Sequence, residues 1–279
     1  MTNAQFEKCK QCLNRKRSVN NKENICNIKG KNLDFEDSCV DFILDSNVIV
    51  GTKNKIEAIR PNLERAKIAQ VLIWIVMLLD AVSAFSSYLQ YNLLLLLKNE
   101  EYVSDQVLDS NDFREQIIAI MYLGAFVVSI VTFLRWFRRA YYNLNIRVNC
   151  SHSEGWAAGA WFVPIISLFR PYQIMKEMDA KTTNLINSKT NNQLKSDVTV
   201  IGLWWALWIV SNYIGQYLFK VVSKSQTIEG FLNSTLIEIV NSILGVVLAI
   251  VTAITIRSYS KKETMLEEIE KREARTHNL

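Results

Sequence analysis

The chain has 279 residues, 49% of them apolar, with a formal net charge of +5 and five cysteines. That length has room for one membrane domain and a small soluble module. Charge collects at the ends and in the loops. The basic excess therefore suits an anionic membrane leaflet, and nucleic acid is excluded as a partner because no long basic run alternates with aromatics outside the apolar segments.

Residues 1–66 are polar and the first apolar run begins near Ile68, so no secretory signal is read. Within residues 1–45 stand Cys9, Cys12, Cys26 and Cys39. Two thiolates spaced C-x2-C can grip one tetrahedral metal through a tight turn, and Zn²⁺ readily accepts four cysteines. The second half departs from a zinc ribbon, because Cys26 and Cys39 have twelve residues between them and need a loop to bring them together. A structural zinc module is the leading expectation. A redox dithiol and unliganded cysteines remain the alternatives. A segment this short and polar cannot bury a sizeable core, so its fold would depend on the metal. Residues 46–66 read as a linker.

Four apolar runs follow that are long enough to span, near 68–89, 117–137, 200–222 and 236–256, and none alternates like a barrel strand. Most of the seven tryptophans lie near a run's end, where the headgroup zone suits an amphipathic ring. A fifth run, 155–169, is interrupted by Pro164 and stopped by Arg170 and Pro171. Crossing the hydrocarbon takes about 20 apolar residues, so this run is too short to cross comfortably. Charge sets the orientation. Lys53, Lys55, Arg60, Arg65 and Lys67 precede the first span, and Arg135, Arg138, Arg139 and Arg147 follow the second. The loop 98–116 between them is net acidic. The positive-inside rule then places both termini in the cytoplasm, provided the fifth run re-enters or lies in the interface. The expected fold is all-α and integral to the membrane, with four spanning helices, one short re-entrant or interfacial helix and a small N-terminal cysteine module. The membrane domain covers 67–257, and a charged, solvated tail covers 258–279. Residues 170–182 read as an amphipathic helix on the membrane surface, with Ile174, Met175 and Met178 turned down.

Three stretches carry a family resemblance: FLRWFRRAYYN at 133–143, GWAAGAWFVPIISLFRPYQIMKEM at 155–178 and LWWALW at 203–208. Together they resemble the DUF4328 family of bacterial membrane proteins, over about residues 68–260. The N-terminal cysteine pattern is similar to a cysteine-rich leader on such proteins. The resemblance implies a multi-helix domain in the bacterial inner membrane, and it carries no activity and no catalytic residue.

Polar groups inside the runs are the remaining candidates. Asp80 lies twelve residues after Ile68, ~18 Å along a helix, near mid-membrane. It shares a face with Ser83, Ser87 and Gln90. Asn212 sits at similar depth in the run 200–222, and Glu238, Asn241, Gly245, Ala249 and Thr252 share a face in the run 236–256. An intramembrane carboxylate is a functional candidate, with helix–helix hydrogen bonding as the bland alternative. Arg135, Arg138 and Arg139 suit phosphate headgroups or simply anchor the topology. Cys150 and His152 form an isolated C-x-H pair. No hydrolase, zincin, P-loop or dinucleotide motif occurs, and an enzyme is not expected. The leading functional expectation is an anchoring and interaction module, a homo-oligomer or the holder of a protein partner, with a zinc-stabilised cytoplasmic N-terminus. The alternative is a small transporter or channel built on Asp80 and Asn212.

Overall fold

The computed structural model describes residues 9, 12–14, 39, 43, 59–190, 193–222 and 227–276. The chain divides into two compact units, Met1–Ile59 and Arg60–Leu279. In the first unit Cys9 and Cys12 are buried, and the Cys12 amide donates to the Cys9 carbonyl at 3.1 Å. Cys39 is half-buried, and Cys26 lies outside the described residues.

The second unit is helical, and no strand occurs among the described residues. Its elements are α1 (Leu63–Lys98), α2 (Asp105–Arg147), a one-turn α3 (Trp156–Gly159), a 3-10 turn (Ile166–Leu168), α4 (Arg170–Lys189), α5 (Val198–Val222) and α6 (Ile228–Thr276). Among them α1, α2, α5 and α6 are long and apolar enough to cross a membrane, which makes this a multi-pass membrane protein. Each begins or ends beyond its apolar run, so helix continues past the hydrocarbon where the sequence turns charged. α1 stops in a Schellman turn. Glu100 takes φ 60, and the Glu101 amide reaches back to the Leu96 carbonyl at 3.0 Å.

α1 packs against both α2 and α6, and α6 packs in turn against α5. Among the described residues α2 and α5 do not pair along their lengths. At one end of the bundle the space between them is closed by the segment 155–169. Ala157 and Ala160 are fully buried there, and Trp161 drives into an aromatic cluster, 5.4 Å from Trp208 and 5.5 Å from Phe133. The Trp205 indole donates to the Leu168 carbonyl at 3.0 Å. This segment does not cross. His152, just before it, lies 2.8 Å from Arg170, just after it, so the chain leaves and returns at the same end. Its turning point is strained. Ile165 has φ 68, and the Ile166 amide donates to the Pro164 carbonyl two residues back at 2.8 Å, a tight γ-turn that a β-branched residue adopts at a cost.

Three expectations change. The apolar face of α4 is covered by protein and not by lipid: Ile174, Met175 and Met178 are buried in the same core as Trp136 and Tyr259. Trp136, Trp204 and Trp205 are likewise buried in the bundle, because they roof the returning segment, while Trp74 and Trp156 remain exposed as a headgroup belt would have them. Beyond residue 257, α6 runs on without a break. Tyr259, Lys262, Glu263 and Leu266 face inward, so only the opposite face of that stretch is solvated.

Candidate functional site

Between α2 and α5 lies a cavity of about 750 Å³, within the usual range for a small-molecule site of roughly 300–1,000 Å³. All four spanning helices and the returning segment contribute to its wall. Along α5 the lining runs from Trp204 to Lys220, ~24 Å at the helical rise, so the space is elongated along the bundle axis. Its two ends differ. Trp161, Phe162, Trp204, Trp208 and Phe133 make an aromatic end above the returning segment. Asp80, Tyr122, Asn212, Gln216 and Asn241 make a polar region farther along.

Asp80 is buried at 5% exposure, and its carboxylate accepts from the Tyr122 hydroxyl. It lies flat against α6 at Gly245, where an added Cβ would come within 2.7 Å of the carboxyl carbon. The glycine is therefore needed for close approach. No ion pair involves Asp80 among the described residues. Asn212 lines the same cavity but spends its amide on the Trp208 carbonyl of its own helix, at 2.8 Å. Asp80 and Asn212 thus share one space without bonding each other. Tyr122 was not legible as the partner of Asp80, since nothing in the second apolar run distinguishes it from a lipid-facing or packing tyrosine. Of the polar face read on the last span, Asn241, Gly245, Ala249 and Thr252 line the cavity. Two polar atoms in its wall, Ser211 Oγ and Asn241 Oδ1, are buried and have no hydrogen-bond partner.

The other candidates sit elsewhere. Arg135 and Arg138 are exposed at the end of the bundle where α4 lies. Arg138 reaches Glu154 at 3.9 Å, and the Arg135 carbonyl accepts from Arg65 at 3.2 Å. Arg139 stands beside Arg65, Arg60 and Arg138, and burial together with these cations pushes its pKa down. Cys150 and His152 do not converge on a metal. The thiol points at the Val148 carbonyl, and burial with the Glu177 carboxylate pushes it up to about 11, while His152 faces Arg170. No group of three or more His, Cys, Asp or Glu side chains suited to a metal occurs among the described residues.

The family model for DUF4328, a domain of unknown function, matches residues 99–261. The chain belongs to the DUF4328 family. The matched region takes in α2, the returning segment, α4, α5 and all of the apolar part of α6. α1, and Asp80 with it, precedes the match, so the family region begins later than the resemblance, which starts at about residue 68. The cysteine leader also lies outside it. The DUF4328 region thus supplies most of the cavity wall, and α1 adds the one carboxylate. No curated protein and no solved structure matches the chain.

Proposed function

We propose that this DUF4328 protein holds a small amphiphilic molecule in the cavity between α2 and α5, as a binding or translocating module of the bacterial inner membrane. Support comes first from one observation: a cavity of about 750 Å³ in which a buried carboxylate and two unpartnered polar atoms share walls with an aromatic cluster. Buried polar groups without partners are costly in a membrane interior, and a ligand with a matching head removes that cost. The role is binding and not catalysis. Both termini lie in the cytoplasm on this reading, with Arg135, Arg138 and Arg139 against anionic headgroups. Native mass spectrometry from mild detergent tests it. Non-protein adducts of lipid-like mass are expected on the wild type and absent from Gly215→Phe. Gly215 lines the cavity with nothing within 4 Å of an added Cβ, so this side chain grows into the empty space. Identical adducts on both proteins would refute the reading.

A second role rests on the N-terminal unit. The buried Cys9 and Cys12 with their short turn suit two ligands of a zinc knuckle. Among the described residues Cys39 does not join them in a metal-suited group, so in this proposal Cys26 and Cys39 close on the pair when zinc binds, which makes that unit an interaction surface for a protein partner. Elemental analysis should find one zinc per chain, lost in the Cys9→Ser/Cys12→Ser double variant. No metal in the wild type would remove this role and leave the cavity untouched.

A further inference from the structure

Resting on the cavity reading, we propose that the occupant is a single-chain alkylammonium amphiphile, its chain along the bundle axis against the tryptophans and its –NH₃⁺ head at Asp80. Three properties of the site select this class. The first is shape. The lining extends ~24 Å along α5, elongated like an extended acyl chain, and α2 and α5 part along their lengths so that the molecule enters sideways from the bilayer. The second is the polarity gradient. Trp161, Trp204 and Trp208 surround the end closed by the returning segment, and the polar groups lie toward the other end, so a chain and a head each have one matching place. The third is the hydrogen-bond sense of the head region. Asp80 offers acceptors and has only the Tyr122 hydroxyl to donate to it, and Asn241 Oδ1, an acceptor without a donor, lies one helical turn beyond Gly245, which touches Asp80. A head that donates several hydrogen bonds and carries positive charge meets all of these needs. A carboxylate or sulfate head would face Asp80 with like charge. Lys220 is the other charged lining residue. It stands ~12 Å beyond Asn212 along α5, at the outer limit of the cavity, and leaves the carboxylate as the nearer charge to the head.

The test uses the full chain in phosphatidylcholine nanodiscs and three chain-brominated probes of equal length: dodecylammonium, dodecanol and dodecanoate. Bromine quenches indole fluorescence on contact, and the cavity's tryptophans report it. Saturable quenching by dodecylammonium is expected, with the alcohol and the carboxylate weaker by more than about tenfold. Asp80→Asn should erase that preference while leaving dodecanol unchanged, and Gly215→Phe should abolish saturable quenching by every probe. Equal binding of dodecanol and dodecylammonium to the wild type, or a preference that survives in Asp80→Asn, overturns the ligand class but leaves the cavity as a binding site. Absence of any quenching sensitive to Gly215→Phe overturns the cavity reading itself. If Asp80→Asn does not accumulate folded, Asn241→Ala decides. A reduced ammonium preference supports the proposal, and an unchanged one overturns it.

Discussion

The two ends of this helical bundle solve opposite problems with the same helices. Where α1 begins and α2 and α6 end, the gaps are closed by polar side chains. Asn62 and Asn143 both donate to the buried Glu263, at 2.9 and 2.8 Å, and Arg147 pairs with Glu270 at 2.9 Å. Lys262 bridges Asp179 at 2.6 Å and Asp197 at 3.0 Å, and Ser258 also bonds Asp197. Farther along, α2 and α5 separate, and a cavity opens between them among Asp80, Tyr122, Ser129, Asn212, Gly215 and Gly245. The tight end holds the helices at fixed positions, which lets the open end keep its cavity without collapsing. A hollow in a membrane bundle is stable only if something outside it keeps the walls apart, because packing is what holds membrane helices together.

Four changes would break or sharpen this contrast. Lys262→Ala has the largest expected effect. It leaves the 1%-exposed Asp179 without its cation, and an unpaired buried charge costs about 3–5 kcal/mol, read as a large loss of melting temperature in detergent. Comparable stability of the variant would show that the tight end is not what braces the bundle. Next come the two glycines of the cavity wall. Gly245→Ala pushes a methyl group into the Asp80 carboxylate and should cost roughly 1–3 kcal/mol. Gly215→Ala meets nothing within 4 Å and should be neutral or gain up to about 1 kcal/mol of helix propensity. Equal effects would mean that the cavity is filled by the protein itself.

Acid is the third lever. Burial alone would raise Glu177, but hydrogen bonds from Lys181, Ser151 and Tyr141 prevail and lower it from 4.5 to about 2. A carboxylate depressed in the folded state stabilises fully above its unfolded pKa, and that contribution is lost as pH falls from about 4.5 toward 2. Melting of the wild type should therefore drop more steeply than that of Glu177→Gln as pH is lowered below about 4.5. Parallel curves would remove Glu177 from the clasp that joins the loop after α2 to α4. The smallest expected effect is Glu100→Gly. It relieves a side chain from the left-handed cap of α1, far from both ends of the contrast in function, and should gain up to about 1 kcal/mol in thermal melts.

Much of the architecture was legible in the chain. Runs of apolar residues such as 117–137 can only be long helices in lipid, since helices satisfy their own backbone hydrogen bonds. The basic residues on both sides of 155–169 favoured a segment that returns, and His152 beside Arg170 puts its two ends at the same end of the bundle. The intramembrane Asp80 and Asn212 were visible because polar residues are conspicuous in such runs. Their relationship was not. The sequence cannot say that Asn212 turns back on its own helix, that Tyr122 bonds Asp80, or that Lys262 and Glu263 are buried in what reads as a solvated tail, because an i,i+4 charge pattern looks the same on a buried as on an exposed face.

The sequence by itself therefore determined the class of protein, the number of long apolar helices and the presence of a carboxylate within the first of them, all of which follow from local composition measured against the thickness of a bilayer. Only the tertiary structure decided that α2 and α5 stand apart and that Gly245 admits Asp80 to a shared cavity. It also decided that the aromatic residues face inward over the returning segment. Each of these depends on how helices distant in sequence rotate and tilt against one another, and side-chain packing sets that rotation only once all of them are in place.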